Sequence, residues 1–302
     1  MADAIAASPG IVMMLGATDV GKTTTATRLA GAAVRAGVPA AIVDADTGQS
    51  DLGPPAAVGW GPVRGAVRWM AGVPLAGLWF VGETAPQRVH RHLVEGTLAL
   101  TGQARRQGAQ IVVVDTTGWI EGAGAVAAKL RKIRRLAPRH LVAIQRDREV
   151  EPILAQVPRG TVVHRLRPAA AVRRRAAQER RALREAKFAG YFAGSAPLVL
   201  DFDDITPQRD TFYRGRRVPP SRVLAEVPPE ALRHLLVGLA DRRGTIKAMG
   251  TVADVDPVLR RIAFVAPPVP PRAVRVVQWG ILRVTPGGRE AGRLSDLRGV
   301  SV

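Results

Sequence analysis

Short apolar runs alternate with longer segments of helical spacing through the first half of the chain. The runs cover residues 11–15, 38–44, 78–81, 110–114 and 140–145. Each has the length and composition of a buried strand. Residues 24–36, 88–108 and 125–136 lie between them and carry the spacing of helices that bury one face. Strand–helix alternation of this kind predicts a mostly parallel sheet covered by helices on both faces. Residues 54–65, with Pro54-Pro55 and several glycines, read as an irregular loop.

From Pro197 the texture changes. Residues 198–202, 245–252, 261–265 and 274–284 read as short strands separated by Pro and Gly turns, with one helix expected over residues 229–240. The expected fold class is therefore α/β, with a mostly parallel sheet and a small β-rich C-terminal domain. The division falls at 1–196 and 197–302, and no catalytic constellation is visible in the second part.

The first strand delivers the chain into Gly16-Ala17-Thr18-Asp19-Val20-Gly21-Lys22-Thr23, which fits G-x-x-x-x-G-K-[ST], and Thr24 continues as helix. A strand, this loop and a helix are the context that a P-loop requires. Its glycines let successive N–H groups turn inward toward phosphate oxygens, and the helix N-terminus adds its positive dipole end. The expected ligand is a nucleoside triphosphate, with Lys22 on the β- and γ-phosphates and the Thr23 hydroxyl on Mg²⁺. The segment Asp44-Ala45-Asp46-Thr47-Gly48-Gln49 ends the next strand, where open α/β sheets bind ligands. Its carboxylates are suited to orienting Mg²⁺ or to taking a proton from a nucleophile; an Asp/Gly turn reads from the same residues. The strand at 110–114 ends in Asp115, the position of the second metal-orienting carboxylate of a P-loop site. Thr116-Thr117-Gly118-Trp119 follows, and its tryptophan is either core or a surface for stacking a base.

An Arg-rich stretch at 169–192 is Ala-rich and favours helix. Arg180 and Arg184 are four apart and share a helical face. Arg175 lies about 140° around an ideal helix from Arg180, so a break is needed to gather all three. In a phosphoryl-transfer enzyme such a stretch serves as a lid whose cations stabilise the transferring group.

Composition changes this picture little. The 302 residues include 44 Lys and Arg against 25 Asp and Glu, a formal charge of +19 that suits a polyanionic partner. The same excess follows from a chain rich in Arg and Ala, so charge alone does not decide the point. Cysteine is absent, which excludes disulfides, thiolate catalysis and Cys-bound metal and is compatible with a cytoplasmic protein. Residues 1–9 have no signal-peptide pattern, and no run of about 18 apolar residues marks a membrane span.

Taken together, these motifs resemble the polynucleotide 5′-hydroxyl kinase family, the RNA kinases of tRNA splicing and pre-rRNA processing. The likeness is to the archaeal and bacterial form without the eukaryotic N-terminal domain. Thr18-Asp19-Val20-Gly21-Lys22-Thr23 is similar to the family's T-D-V-G-K-[ST], and Asp46-Thr47-Gly48-Gln49 to its D-x-G-Q. Phe80-Val81-Gly82-Glu83-Thr84-Ala85-Pro86 resembles the segment that places a Thr near the acceptor. Thr116–Trp119 resembles the T-x-G-W clasp, and Arg175, Arg180 and Arg184 before Tyr191-Phe192 resemble the arginine lid. Residues 233–239 and 277–280 are similar to C-terminal family segments. Two positions depart: Ala176 follows the first lid arginine where Ser is frequent, and Ala85 stands where a second hydroxyl is frequent.

The resemblance implies transfer of the γ-phosphate of ATP to the 5′-OH end of RNA and/or DNA, with Mg²⁺. Lys22, Asp46 as general base, Arg175, Arg180 and Arg184 would be catalytic. Gln49, Thr84 and Trp119 would hold the acceptor, and Thr23, Asp46 and Asp115 the metal. Two other classes stay open: a partner-regulated NTPase switch, and a nucleic-acid-binding protein that keeps ATP without catalysis. A guanine-reading Asn-Lys-x-Asp is excluded, because the chain contains no asparagine.

Overall fold

The structure, a computed structural model, describes residues 1–294. The last residues of the expected C-terminal domain, 295–302, lie outside the described residues. Two compact units are present: residues 1–81 with 85–180, and residues 82–84 with those from 181 onward.

In the first unit the elements run α1 (Ala2–Ala7), β1 (Ile11–Leu15), α2 (Lys22–Arg35), β2 (Ala40–Ala45), β3 (Ala57–Val63) and β4 (Gly77–Phe80). They continue α3 (Pro86–Arg106), β5 (Ile111–Thr116), α4 (Ala123–Leu136), β6 (His140–Ile144), α5 (Glu151–Leu154), β7 (Val162–Leu166) and the start of α6 (Ala177–Phe192). The strands form one sheet in the order β4-β3-β2-β5-β1-β6-β7. Strands β2, β5, β1, β6 and β7 are parallel, and β3 and β4 extend the edge antiparallel. The sheet is apolar on both faces. Met13 and Leu15 of β1 face one core with Leu130 and Ile133 of α4. Val12 and Met14 face the other with Ala26 and Leu29 of α2. This is the expected mostly parallel α/β sheet.

Within the expected loop over 54–65, residues 57–63 instead form strand β3, buried for most of its length. A Cβ on Gly59 would sit 2.0 Å from the Leu52 carbonyl oxygen, and one on Gly61 2.1 Å from that of Pro74. These glycines are present because neighbouring backbone crosses the strand closely, not because the chain is irregular.

The second unit continues with the rest of α6 and then β8 (Ala196–Asp201), β9 (Thr206–Gln208), β10 (Thr211–Tyr213), β11 (Arg216–Val218), α7 (Val223–Glu226) and α8 (Pro229–Leu232). It closes with β12 (Leu235–Ala240), β13 (Ile246–Asp256), β14 (Arg261–Ala266), β15 (Val276–Val284) and β16 (Glu290–Arg293). Its main sheet is ordered β16-β15-β12-β13-β14-β8, with β9 on β15. The helix expected over 229–240 is corrected. One helical turn, α8, is followed by a left-handed residue, His234, at φ 65°, and then by the fully buried strand β12 between β13 and β15. Residues 235–240 are apolar on every side, and a central strand buries both faces.

Candidate phosphoryl-transfer site

Strand β1 ends at Leu15, and the loop 16–21 carries the chain into α2, whose first residue is Lys22. Asp19 and Gly21 both have left-handed backbone, at φ 54° and 91°, which curls the loop. Lys22 is buried, and its Nζ donates to the Ala17 carbonyl oxygen at 2.7 Å. The hydroxyl of Thr23 donates to Asp115 Oδ2 at 2.5 Å. Thr24 occupies the first turn of α2 behind it.

Parallel pairing sets Asp44 of β2 abreast of Asp115 of β5, both 1% exposed. Burial, followed by the Asp115 charge, pushes the Asp44 carboxyl up to about 8. Burial raises Asp115 to about 6 against the opposing pull of Lys22 and the Thr23 hydroxyl. The sequence offers Asp44 and Asp46 alike for orienting Mg²⁺ or taking a proton, and the structure separates them. The Oδ2 of Asp44 accepts the backbone N–H groups of Asp51 and Leu52 and the Ser50 hydroxyl, and its Oδ1 accepts the N–H of Asp46. It therefore shapes the loop that presents Asp46. Half-buried Asp46 accepts from the N–H groups of Gly48 and Gln49, and its charge also raises Asp115. Hydroxyl and carboxylate oxygens clustered this way are the hard donors that suit Mg²⁺.

The Arg-rich stretch is helical only from Ala177, so residues 169–176 supply the break that the spacing requires. Arg175 donates its backbone N–H to Asp19 Oδ2 at 2.9 Å. The guanidinium groups of Arg175 and Arg180 each stand 3.6 Å from the same carboxylate, and Arg180 also donates to the Arg175 carbonyl oxygen. Gln49 Nε2 donates to the Arg180 carbonyl oxygen at 3.3 Å. A cleft of about 320 Å³ results, with Thr18, Asp19, Gly118, Trp119, Arg175 and Arg180 in its lining. A Cβ on Gly118 would fall 2.2 Å from Thr18 Oγ1, so only glycine lets the segment after β5 press against the P-loop. That segment is fixed from below by Lys129 of α4. Its buried amine donates to Thr116 Oγ1, the Thr117 carbonyl oxygen and Thr117 Oγ1 at 2.9, 2.6 and 3.3 Å. Burial holds Lys129 well below the ordinary lysine range, with Lys132 and Lys22 adding to the effect.

Of the residues singled out from sequence, Gly16–Thr24, Asp46, Gln49, Asp115, Trp119, Arg175 and Arg180 belong to the first unit. Thr84 and Arg184 belong to the second. There Arg184 forms a two-pronged ion pair with Glu290 at 2.6 and 3.2 Å. The backbone N–H and hydroxyl of Thr84 donate to Glu83 Oε1, and buried Glu83 is gripped by Arg293 at 2.6 and 3.0 Å. Lys129 is not singled out by the sequence, because a buried polar group betrays itself in sequence only by interrupting an apolar pattern. Lys129 does so within helix 125–136.

With this geometry in hand, the family model described as the P-loop of the mRNA cleavage and polyadenylation factor CLP1 matches residues 16–194. The chain belongs to the CLP1 P-loop family. Among curated relatives of this family member, a polyribonucleotide 5′-hydroxyl-kinase of Pyrococcus furiosus is 26% identical, over 95% of this chain and 91% of the relative. Another, from Methanocaldococcus jannaschii, is 25% identical over 94% of this chain and 89% of the relative. A solved complex of Clp1p with Pcf11p shares the fold, with a TM-score of 0.67 and 16% identity over 94% of this chain and 77% of that one. Among the described residues, no helix of this CLP1-family chain is long and apolar enough to cross a membrane.

Proposed function

We propose that the chain is an ATP-dependent polynucleotide 5′-hydroxyl kinase acting on the 5′ ends of RNA and/or DNA. The observation that carries this reading is the gathering of Thr23, Asp115 and Asp46 near one P-loop whose Asp19 holds Arg175 and Arg180 beside Trp119. The relatives named polyribonucleotide 5′-hydroxyl-kinase support it over nearly the whole chain.

In this reading the amides of Gly16–Thr23 and the ammonium of Lys22 hold the triphosphate, Lys22 giving up its bond to the Ala17 carbonyl to do so. Thr23 and Asp115, with Asp46, are the groups that would hold Mg²⁺, whose charge would neutralise the β- and γ-phosphate oxygens. Asp46 takes the proton of the 5′-hydroxyl as its oxygen attacks the γ-phosphorus. The bond from that phosphorus to the β–γ bridging oxygen breaks, and ADP leaves. Arg175, Arg180 and Arg184 offset the charge of the transferring group, an effect on the order of 10³ or more in rate for arginine fingers. Gln49, Thr84 and Trp119 orient the terminal nucleotide. A stacked base is worth about 1–3 kcal/mol, enough to hold an end without reading its sequence.

Incubation with γ-labelled ATP and matched 5′-hydroxyl RNA and DNA oligonucleotides tests the reading. Label on an oligonucleotide is the expected result. Free labelled phosphate alone would instead identify an NTPase switch, and no label on either product an accessory protein that only binds.

A further inference from the structure

One cation beside the P-loop has no part in the mechanism above. Strand β6 lies next to β1 on the side away from β5, and it hands the chain to Gln145-Arg146. The turn that follows is fixed by its own side chains. Gln145 donates to Glu151 Oε1 at 2.7 Å and accepts from the Val150 N–H at 3.3 Å. Glu149 accepts the backbone N–H groups of Arg146 and Asp147, each at 2.9 Å. From this rigid turn Arg146 reaches back to the P-loop, its Nη2 donating to the Asp19 carbonyl oxygen at 2.8 Å. Its Nη1 is shielded from solvent and has no hydrogen-bond partner among the described residues. A shielded guanidinium nitrogen without an acceptor is costly, and such an atom in a folded protein calls for an explanation.

The sheet order supplies one. Ligands of open α/β sheets sit at the carboxyl ends of the strands. Asp46 follows β2 and Asp115 ends β5, so the carboxylates assigned to proton transfer and metal occupy the β5–β2 flank of β1. A triphosphate seated on residues 16–23, with its γ-phosphate toward those carboxylates, carries its nucleoside toward the β6 flank. Arg146 stands at that flank, already tied to the loop that holds the phosphates.

We propose that Arg146 contacts the nucleoside half of the bound triphosphate, its Nη1 donating to an acceptor atom of the base or ribose. The proposal rests on the assignment of residues 16–23 as the triphosphate site. Arg146 is thus a binding residue for the phosphate donor. Holding the Asp19 carbonyl at the same time couples occupancy by the nucleoside to the shape of the P-loop.

The test compares ATP with inorganic tripolyphosphate, which has the same anionic chain and no nucleoside. Binding of each is measured by calorimetry on the full chain, without acceptor, for wild type, Arg146→Met and Arg146→Lys. The lysine variant keeps a donor for the Asp19 carbonyl, loses Nη1, and stands in should Arg146→Met fail to fold. Affinity for ATP is expected to fall about 10-fold or more in both variants, with tripolyphosphate affinity within about 2-fold of wild type. Equal losses for the two ligands would make Arg146 a brace or charge for the P-loop and overturn the proposal, as would unchanged ATP binding. Wild type that binds ATP yet labels no oligonucleotide would sink the kinase reading and leave this one standing. Wild type that binds neither ligand would sink both.

Discussion

The backbone N–H of Arg175 donates to the carboxylate of Asp19 at 2.9 Å, across 156 positions of the chain. The contact is to main chain, whereas the guanidinium groups of Arg175 and Arg180 stand off at 3.6 Å. In the proposed mechanism this main-chain anchor persists when the side chains turn to a phosphate, so Asp19 would fix where the lid sits while its cations remain exchangeable. Glycine at position 19 keeps the left-handed backbone and removes the anchor; asparagine keeps an acceptor oxygen. Asp19→Gly is expected to lower kcat about 10-fold, with KM for ATP changed little and amide exchange at residues 174–180 accelerated. Asp19→Asn should retain most of the rate. Kinetics with hydrogen-exchange mass spectrometry check both.

In the proposed mechanism Asp46 takes the acceptor's proton. Asp46→Asn keeps the shape and an oxygen for the Gly48 and Gln49 N–H groups. Transfer to a 5′-hydroxyl oligonucleotide should fall by at least about 10³, with ATP affinity within a few-fold of wild type. Substantial phosphorylation by that variant would remove Asp46 from the role of base.

Asp44 and Asp115 give the metal-free protein a pH signature. Their folded values, about 8 and about 6, lie above the unfolded value of 3.8. Between these limits the folded state binds more protons at this pair than the unfolded one, so the pair's contribution to stability is fully present below about pH 4 and is lost as pH rises toward 8. Melting temperature in chelator should decline across that window. Asp44→Asn should flatten the decline, and a curve equally steep in the variant would assign it to other groups.

Lys129 braces the segment that carries Trp119 with three hydrogen bonds from a buried amine. Methionine fills similar space without the donor. Because burial of the amine is itself unfavourable, Lys129→Met should change stability by no more than about 2 kcal/mol. KM for the oligonucleotide should nevertheless rise severalfold, since Thr116 and Thr117, which lead into Trp119, lose a shared anchor. Urea unfolding and oligonucleotide titration separate the two effects.

Gly59 tests the account of β3. A Cβ there meets the Leu52 carbonyl oxygen at 2.0 Å, a backbone atom that cannot step aside cheaply. Gly59→Val should destabilise by about 3 kcal/mol despite the β-propensity of valine. Denaturant midpoints measure it.

What the sequence by itself determined is local in origin. Residues 16–23 are legible because one short peptide carries the glycines, the lysine and the hydroxyl that a phosphate cradle needs. Asp115 is legible because it closes an apolar run that can only be a buried strand. Tertiary structure decided the rest, where meaning depends on what lies opposite. Gly59 and Gly61 read as loop until the Leu52 and Pro74 carbonyls are seen crossing them. Residues 235–240 read as helix until β13 and β15 are found on both sides. The carboxylate of Asp19, the Nη1 of Arg146 and the amine of Lys129 draw their significance from partners, or the want of one, set by the fold. A hydrogen bond is a relation between two atoms, and a linear pattern of residue types records only one of them at a time.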